Sequence, residues 1–511
     1  MNINNNNFRI IENFSDGLTP PPNTHNSEEI IDNTSETNIS PMSDNMVTYG
    51  VSIGGNAGAA LKNDGTVVTW GDEFKGRSPY KSRYNYTTQS YEIYGNPVDL
   101  TNVKAISMGG ETGAALKNDG TVVTWGRYYR GGDSSSVDLT NIKAISMAFY
   151  AGAALKNDGT VVTWGSGRLG GNSSSVDLTN VKAISMGGSA GAALKNDGTV
   201  VTWGNPEEGG NNYVYDIIPP GGNQTPGPVR IDNPVDLTNV KAISMGGRAG
   251  AALKNDGTVV TWGVDKDGGS PYIYKMNYNN QDYEPYGNQV DLTNVKAISM
   301  GGSAGAALKN DGTVVTWGNE RTGGDSSSVD LTNVKAISMG KNAGAALKND
   351  GNVVIWGLFS RGGTPYLYSF NEVNMVYIRV GGQVDLTNVK AISMGPFGAA
   401  LKNDGTVVTW GYIREADISG IDLTNISTRP LLYGPQGIPG ASGAPGSQGI
   451  PGASGAPGAS GSPGAQGPQG LPGPSGDPGV AGVSSKSNIL IGIMVIFILI
   501  NLFLIFKTFS S

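Results

Sequence analysis

The sequence contains no cysteine and one histidine, His25. Without thiols there is no disulfide framework, no thiolate zinc site and no cysteine nucleophile, and the redox compartment leaves no mark on the chain. His25 lies in a low-complexity N-terminal stretch. The folded part therefore cannot build a Ser-His-Asp triad, a histidine-ligated metal centre or an imidazole acid-base pair. No catalytic, cofactor-binding or metal-ligating residue is assigned, and the chain is expected not to be an enzyme. Excess positive charge is missing too: 35 Lys and Arg against 42 Asp and Glu give a formal net charge of -7. No nucleic-acid partner is expected, because neutralising phosphates takes clustered cations. Nor does the N-terminus carry a basic start followed by an apolar run, the mark of Sec export.

Glycine, by contrast, is abundant, with 78 in 511 residues. Such a surplus points to turns, repeats or collagen, and these separate along the chain. Residues 1–46 are rich in Asn, Ser, Thr, Glu and Pro and bury too little apolar surface to offset chain entropy, so they read as a disordered tail.

Residues 47–428 repeat almost word for word. Trp70, Trp125, Trp164, Trp203, Trp262, Trp317, Trp356 and Trp410 mark eight copies and account for every tryptophan in the chain. The shared block reads VDLTNVKAISMGG, two variable residues, then GAALKNDGTVVTWG, as from Val98 to Gly126. A repeat of this length signals a solenoid, propeller or array. Each block predicts short strands, such as Ala105-Ile106-Ser107-Met108, Ala114-Ala115-Leu116-Lys117 and Thr121-Val122-Val123-Thr124-Trp125, with the last two joined by the Asn118-Asp119-Gly120 turn. So small a meander cannot cover its own apolar faces and must stack on its neighbours.

The run ISMGG..AGAALKNDGTVVTWG resembles the regulator-of-chromosome-condensation repeat in its bacterial and viral form. The resemblance implies an all-β propeller, usually of seven blades, with a histidine just after the Gly-Gly pair. This chain has Ala or Gly there, as in Ser189-Ala190-Gly191. The ends argue for eight blades instead of seven. VDLTN-like segments begin at Val98, Val137, Val176, Val235, Val290, Val329, Val384 and Ile421, so the first tryptophan strand has none before it and the last segment has no strand after it. Pairing the two ends closes a ring without a bare sheet edge.

After a linker at 429–433, glycine recurs at every third position from Gly434 to Gly482, with Pro439, Pro445, Pro451 and Pro457 third in their triplets. Residues 434–483 thus read as a collagen stalk, on the order of 140 Å long, and imply a self-trimer. Beyond a linker at 484–488, Ile489 to Phe506 is an eighteen-residue run broken only by Gly492 and Asn501 and flanked by Lys486 and Lys507. It reads as one transmembrane helix, with the lipid bilayer as partner. Only the short tail 507–511 follows, which resembles a tail-anchored arrangement with the bulk made on the cytosolic side.

The near-identical blocks read as scaffold, so function is sought in the segments between Trp-Gly and VDLTN. Four are long, roughly 72–97, 205–234, 264–289 and 358–383, and they leave the blades at the same point, so they crowd one rim. They hold the candidate partner-binding residues Tyr80, Tyr84, Tyr86, Tyr91, Tyr272, Tyr274, Tyr278, Tyr283, Tyr366 and Tyr368. Tyrosine offers a large, stiff surface with a polar tip, suited to an unknown protein or glycan. A second reading makes these segments extra hairpins whose tyrosines pack on one another or on the blades. Short segments such as Gly131 to Ser136 read as turn chemistry. The Lys-Asn-Asp-Gly turns carry one carboxylate beside a lysine, too few oxygens for calcium.

The leading expectation is a membrane-anchored, trimeric adhesive surface protein. Asn and Ile usage, the collagen run and the viral-type repeats resemble giant-virus proteins and suggest a virion or virus-factory membrane, with a bacterial surface as the other location. The alternative class is guanine-nucleotide exchange, which the resembled family includes, although no residue here matches an exchange site.

Overall fold

Short β-branched runs alternating with small residues make thin strands that can be covered on both faces. The computed structural model describes residues 50–218, 227–230, 234–279, 282–371, 374–412 and 418–427. In it the second copy folds as Val103–Met108, Thr112–Lys117 and Val122–Arg127. Ile106 stands opposite Ala115, and Gly113 opposite Trp125, in antiparallel register. Between the last two strands the Asp119 carboxylate accepts from Thr121 N at 2.9 Å and Thr121 Oγ1 at 2.7 Å, and Gly120 takes φ of 85°. The turn closes on its own side chain, as Asp-Gly turns do.

The unit recurs to give eight sheets among the described residues, the eight blades of a propeller. First strands of neighbouring blades face one another around the axis, and third strands lie at the periphery. The tail 1–46, the stalk 434–483 with its linkers 429–433 and 484–488, the membrane run 489–506 and the tail 507–511 lie outside the described residues.

Two hydrogen-bonded rings tie blade to blade near the axis. In one, a buried serine accepts from the next blade's methionine N–H: Ser107 from Met147 at 3.0 Å, Ser146 from Met186 at 3.0 Å and Ser185 from Met245 at 2.9 Å. Seven of the eight positions make this bond, with Ile53 in the methionine's place as donor to Ser393, and Ser338 Oγ is the one of these serines without a partner among the described residues. In the other, backbone meets backbone: Gly188 N donates to Gly246 O and Gly247 N to Gly301 O, both at 2.9 Å. A Cβ on Gly246 would lie 2.4 Å from Gly301 O, so the first glycine of the pair is set by this close approach.

Each tryptophan locks its own blade and the one before it. The indole lies across the middle-strand glycine opposite, and a Cβ on Gly191 would meet Trp203 at 2.4 Å. In seven of the eight copies its Nε1–H donates to a glycine carbonyl of the preceding blade: Trp125 to Gly76 at 2.9 Å, Trp203 to Gly170 at 3.0 Å and Trp410 to Gly362 at 3.0 Å. All eight rings are buried. Burial of roughly 150–250 Å² of aromatic surface each, with seven of the eight N–H groups satisfied among the described residues, makes them the main apolar contribution to blade stacking.

The ring closes through a strand assembled from both ends of the repeat region. Gly50 N donates to Ser427 O at 3.1 Å, and Ser427 N to Leu61 O at 2.8 Å. Ile426 bridges Lys62 as Val103 pairs Lys117. Ile426-Ser427 thus begins the first strand of blade 1, and Val51–Ile53 continues it. The side chains repeat the local pattern over long range. Asp177 pairs with Lys195 at 2.5 Å, 18 residues away, and Asp422 pairs with Lys62 at the same 2.5 Å across 360 residues. Asn425 accepts from Asn63 at 2.7 Å, as Asn180 does from Asn196 at 2.6 Å. Both acceptors are left-handed, with φ of 56° and 58°, a conformation asparagine tolerates.

Two substitutions test this architecture. Gly191→Ala drives a methyl into the Trp203 indole and is expected to cost about 1–3 kcal/mol, read as a lowered melting temperature. Ile426→Ala in the fully buried seam is expected to cost about 2–5 kcal/mol. Asp422→Asn, at the exposed ion pair of the same seam, should lower melting much less than Ile426→Ala. Equal loss in both seam variants would mean that charge, and not apolar burial, holds the ring shut.

Candidate binding face

In seven of the eight blades the residue after Trp-Gly bonds to a variable residue of its own blade, which fixes both on one end of the ring. Arg127 N donates to Glu111 O at 3.1 Å, Ser166 N to Tyr150 O at 2.9 Å and Val264 N to Arg248 O at 3.0 Å. A short 3-10 turn follows, such as Tyr128–Arg130, capped by left-handed Gly131 with φ of 95°. Scaffold glycines therefore present the non-repeated side chains Glu111, Tyr150 and Arg248 together on this end.

The four long segments each form a hairpin and join the next blade. Lys81–Asn85 and Ser90–Tyr94 extend blade 2, Val214–Ile218 and Gly227–Arg230 blade 5, Ile273–Asn277 and Asp282–Tyr286 blade 6, and Leu367–Asn371 and Val376–Val380 blade 8. Attachment is parallel and brief, through pairs such as Lys81 with Gly126 and Ser82 with Arg127, or Ile273 with Gly318 and Tyr274 with Asn319. The register is equivalent in all four, so the hairpins rise from the same end of the ring as the variable side chains.

The candidate tyrosines fall into three environments. Tyr86 and Tyr278 stand 80% and 76% exposed at hairpin tips. Tyr80, Tyr84, Tyr91, Tyr272, Tyr283 and Tyr366 are half-buried. Tyr274 and Tyr368 are buried between hairpin and blade: the Tyr274 hydroxyl lies 3.3 Å from Asp265 Oδ2, and that of Tyr368 lies 2.8 Å from Thr364 Oγ1. These two hold the hairpins down and present no surface.

A cleft of about 250 Å³ opens over blade 2. Tyr84 packs edge-on against Tyr86 and Tyr91, with centroids 5.2 and 5.1 Å apart, and Tyr128 against Tyr129 at 4.8 Å. Arg83, Arg127 and Arg130 also line it. Beneath them the buried Glu111 carboxylate contacts Arg127 at 2.7 Å and Arg130 at 3.1 Å. The Arg127 guanidinium lies 3.8 Å from the Tyr91 centroid, and that of Arg130 lies 4.7 Å from Tyr150 and 4.8 Å from Phe149. The larger crevice, about 420 Å³ between blades 7 and 8, has Asp385 as its one charged wall residue, already paired with Lys402.

Arg83, Arg127, Tyr128, Tyr129, Arg130 and Glu111 were not among the sequence candidates. The available signal was Arg127-Tyr128-Tyr129-Arg130, a short segment unlike the Ser- and Gly-rich ones in its class. Among the described residues no group of three His, Cys, Asp or Glu side chains converges as a metal site would.

The chain thus joins an eight-bladed propeller to a collagen segment, since residues 432–486 match the collagen triple helix repeat family. Among solved structures, the chain is similar to the ectodomain of the Arabidopsis thaliana receptor kinase ACR4, with 16% identity and a TM-score of 0.38 over 61% of this chain and 96% of that one. Saccharomyces cerevisiae Prp20p shares 17% identity, with a TM-score of 0.36 over 53% of this chain and 72% of that one. The computationally designed Ika8 protein shares 15%, with a TM-score of 0.36 over 72% and 97%. No curated protein matches the chain. The propeller assignment rests on this chain's own eight sheets and their closure.

At the edge of blade 5, Asp265 is buried below the blade 6 hairpin, and burial raises its carboxyl to about 6, with Asp216 adding repulsion. The folded chain therefore keeps a proton that the unfolded chain loses near pH 3.8, so this site favours folding below that pH and the contribution is lost as pH rises through 6. The ion-paired aspartates behave oppositely. Asp177, held at about 2 by the Lys195 and Thr179 hydrogen bonds, contributes above pH 3.8 and is lost as pH falls toward 2. Asp265→Asn is expected to raise the melting temperature at pH 7, by up to about 3 kcal/mol in stability, and to flatten the decline between pH 4 and 6. Thermal melts across that range check it.

Proposed function

We propose that the chain is a trimeric, membrane-rooted surface protein. Its collagen segment gathers three propeller heads, and residues 489–506 fix the fibre to a bilayer. The heads act by contact and not by catalysis. One observation carries the reading: nearly identical blades hold their variation on a single end of the ring, where four hairpins and their tyrosines rise together. A scaffold that repeats eight times while one face diverges is a display platform. The collagen repeat implies trimerisation, because only three chains wound together need glycine at every third position.

Eighteen residues at 1.5 Å each, all apolar but Gly492 and Asn501, extend about 27 Å as a helix, close to the thickness of a hydrocarbon core. Among the described residues no helix is long and apolar enough to cross a membrane. The resemblance to giant-virus collagen-like proteins favours a virion or virus-factory membrane as the location.

Cross-linking and sedimentation of the full-length chain test the trimer. Trimers are expected for the native chain, and a monomer or dimer for a variant lacking 434–482. Gly458→Asp, placing a side chain at the crowded axis, should lower the temperature at which trimers dissociate while the head's own melting stays in place. Adhesion to target cells should fall at least tenfold when the four hairpin tips are shortened together. Unchanged adhesion would overturn the contact role of this face.

A further inference from the structure

We propose that the cleft over blade 2 is a subsite for an acidic saccharide, a sugar bearing a carboxylate or a sulfate. The inference rests on the reading of the hairpin face as the contact surface and names its ligand class.

Charge balance is the first support. Arg127 and Arg130 line the cleft over one carboxylate, that of Glu111, and Arg83 stands at its edge with its guanidinium 5.4 Å from the Tyr94 centroid, so positive charge is in surplus there. Arg83 is exposed and pairs with no carboxylate among the described residues. Glu92 stands opposite it in register, but its carboxylate accepts from Asn85 at 2.6 Å and Thr88 at 3.1 Å. Set over the Tyr94 ring and beside a carboxylate bonded elsewhere, the Arg83 guanidinium keeps its N–H edges for an external anion.

Preorganisation is the second. Arg127 is held by Glu111 from below and by the Tyr91 ring at 3.8 Å, and Arg130 by the same carboxylate and two rings. Fixed planar forks match the paired oxygens of a carboxylate or sulfate and lose little freedom on binding.

The walls supply the third. Tyr86 and Tyr129 are 80% and 67% exposed, offering ring faces to the apolar side of a sugar and hydroxyls to its polar edge. At about 250 Å³ the cleft falls below the roughly 300–1,000 Å³ typical of drug-sized ligands and suits one sugar residue. No Asp, Glu or Asn lines it to accept from sugar hydroxyls, so discrimination falls on the anionic group. Other cations of the hairpin face, Arg230, Arg248, Lys275, Arg321, Arg361 and Arg379, stand singly against tyrosines or carboxylates on separate hairpins and blades, whereas a nucleic-acid strand requires a continuous basic track.

The test titrates the full-length chain by calorimetry with 3′-sialyllactose, lactose 3′-sulfate and lactose, and in parallel with a phosphotyrosine peptide and an oligothymidylate. At least one acidic sugar is expected to bind tenfold or more tightly than lactose, and the two acidic arms tell carboxylate from sulfate. Arg83→Ala should weaken that binding at least tenfold without shifting the melting temperature, Arg83→Lys should restore part of it, and Tyr129→Ala should weaken it independently. The proposal is overturned by equal affinity for lactose, by absence of saturation with either acidic sugar, by preference for the peptide or the oligonucleotide, or by an inert Arg83→Ala. If hairpin-dependent adhesion persists in any of those cases, the subsite alone is wrong. If that adhesion is absent as well, the contact reading falls with it.

Discussion

An indole laid across a glycine, with its N–H delivered to the blade before it, is the contact on which the whole ring depends. It needs two residue types at fixed separation, a glycine in the middle strand and a tryptophan opposite it in the outer strand, and every copy has both. Because the N–H reaches a glycine carbonyl of the preceding blade, the same side chain fixes the sheet and the spacing between sheets. Of the eight indoles, Trp70 Nε1 alone has no partner among the described residues, and the turn that supplies the acceptor in the other copies has its counterpart here in residues 413–417, outside the described residues.

With cohesion confined to the strands, the connections at one end are free to differ. Short ones remain turns, and long ones fold back as hairpins that lengthen the sheet of the following blade. Each hairpin thereby adds a second clasp between consecutive blades while lifting aromatic side chains above the ring. Stability and display are carried by the same insertion, which is why Tyr274 and Tyr368 are buried at its base while Tyr86 and Tyr278 stand at its tip.

The blade count and the joining of the ends were legible in the sequence, because the repeat is near-perfect and the unmatched Ile421 to Asn425 segment has the same side chains that serve each internal junction. The Asp-Gly turns were legible for the same local reason. The hairpins' attachment was not. A parallel pairing of two residues with a strand some 45 positions onward, Lys81 with Gly126, leaves no periodic trace and is decided by where the next blade sits. The blade 2 cleft escaped notice for a related cause. Glu111 comes from between two strands, Arg127 and Arg130 from a turn, and Tyr84 and Tyr91 from a hairpin, and only stacking brings them together. What sequence could weigh was the density of tyrosine, which located the face but not the cations in it.

The composite first strand of blade 1 has a mechanical consequence. Chain continuing past Ser427 leads toward the collagen segment, so tension on a head enters the ring at the one strand that is not covalently continuous. The load falls on the hydrogen bonds of Ser427 and the buried Ile426 side chain before any other blade feels it. In the proposed tethered fibre the seam would act as a mechanical fuse: its strength would set the force at which a head opens, with the strands of the other seven blades still covalently continuous.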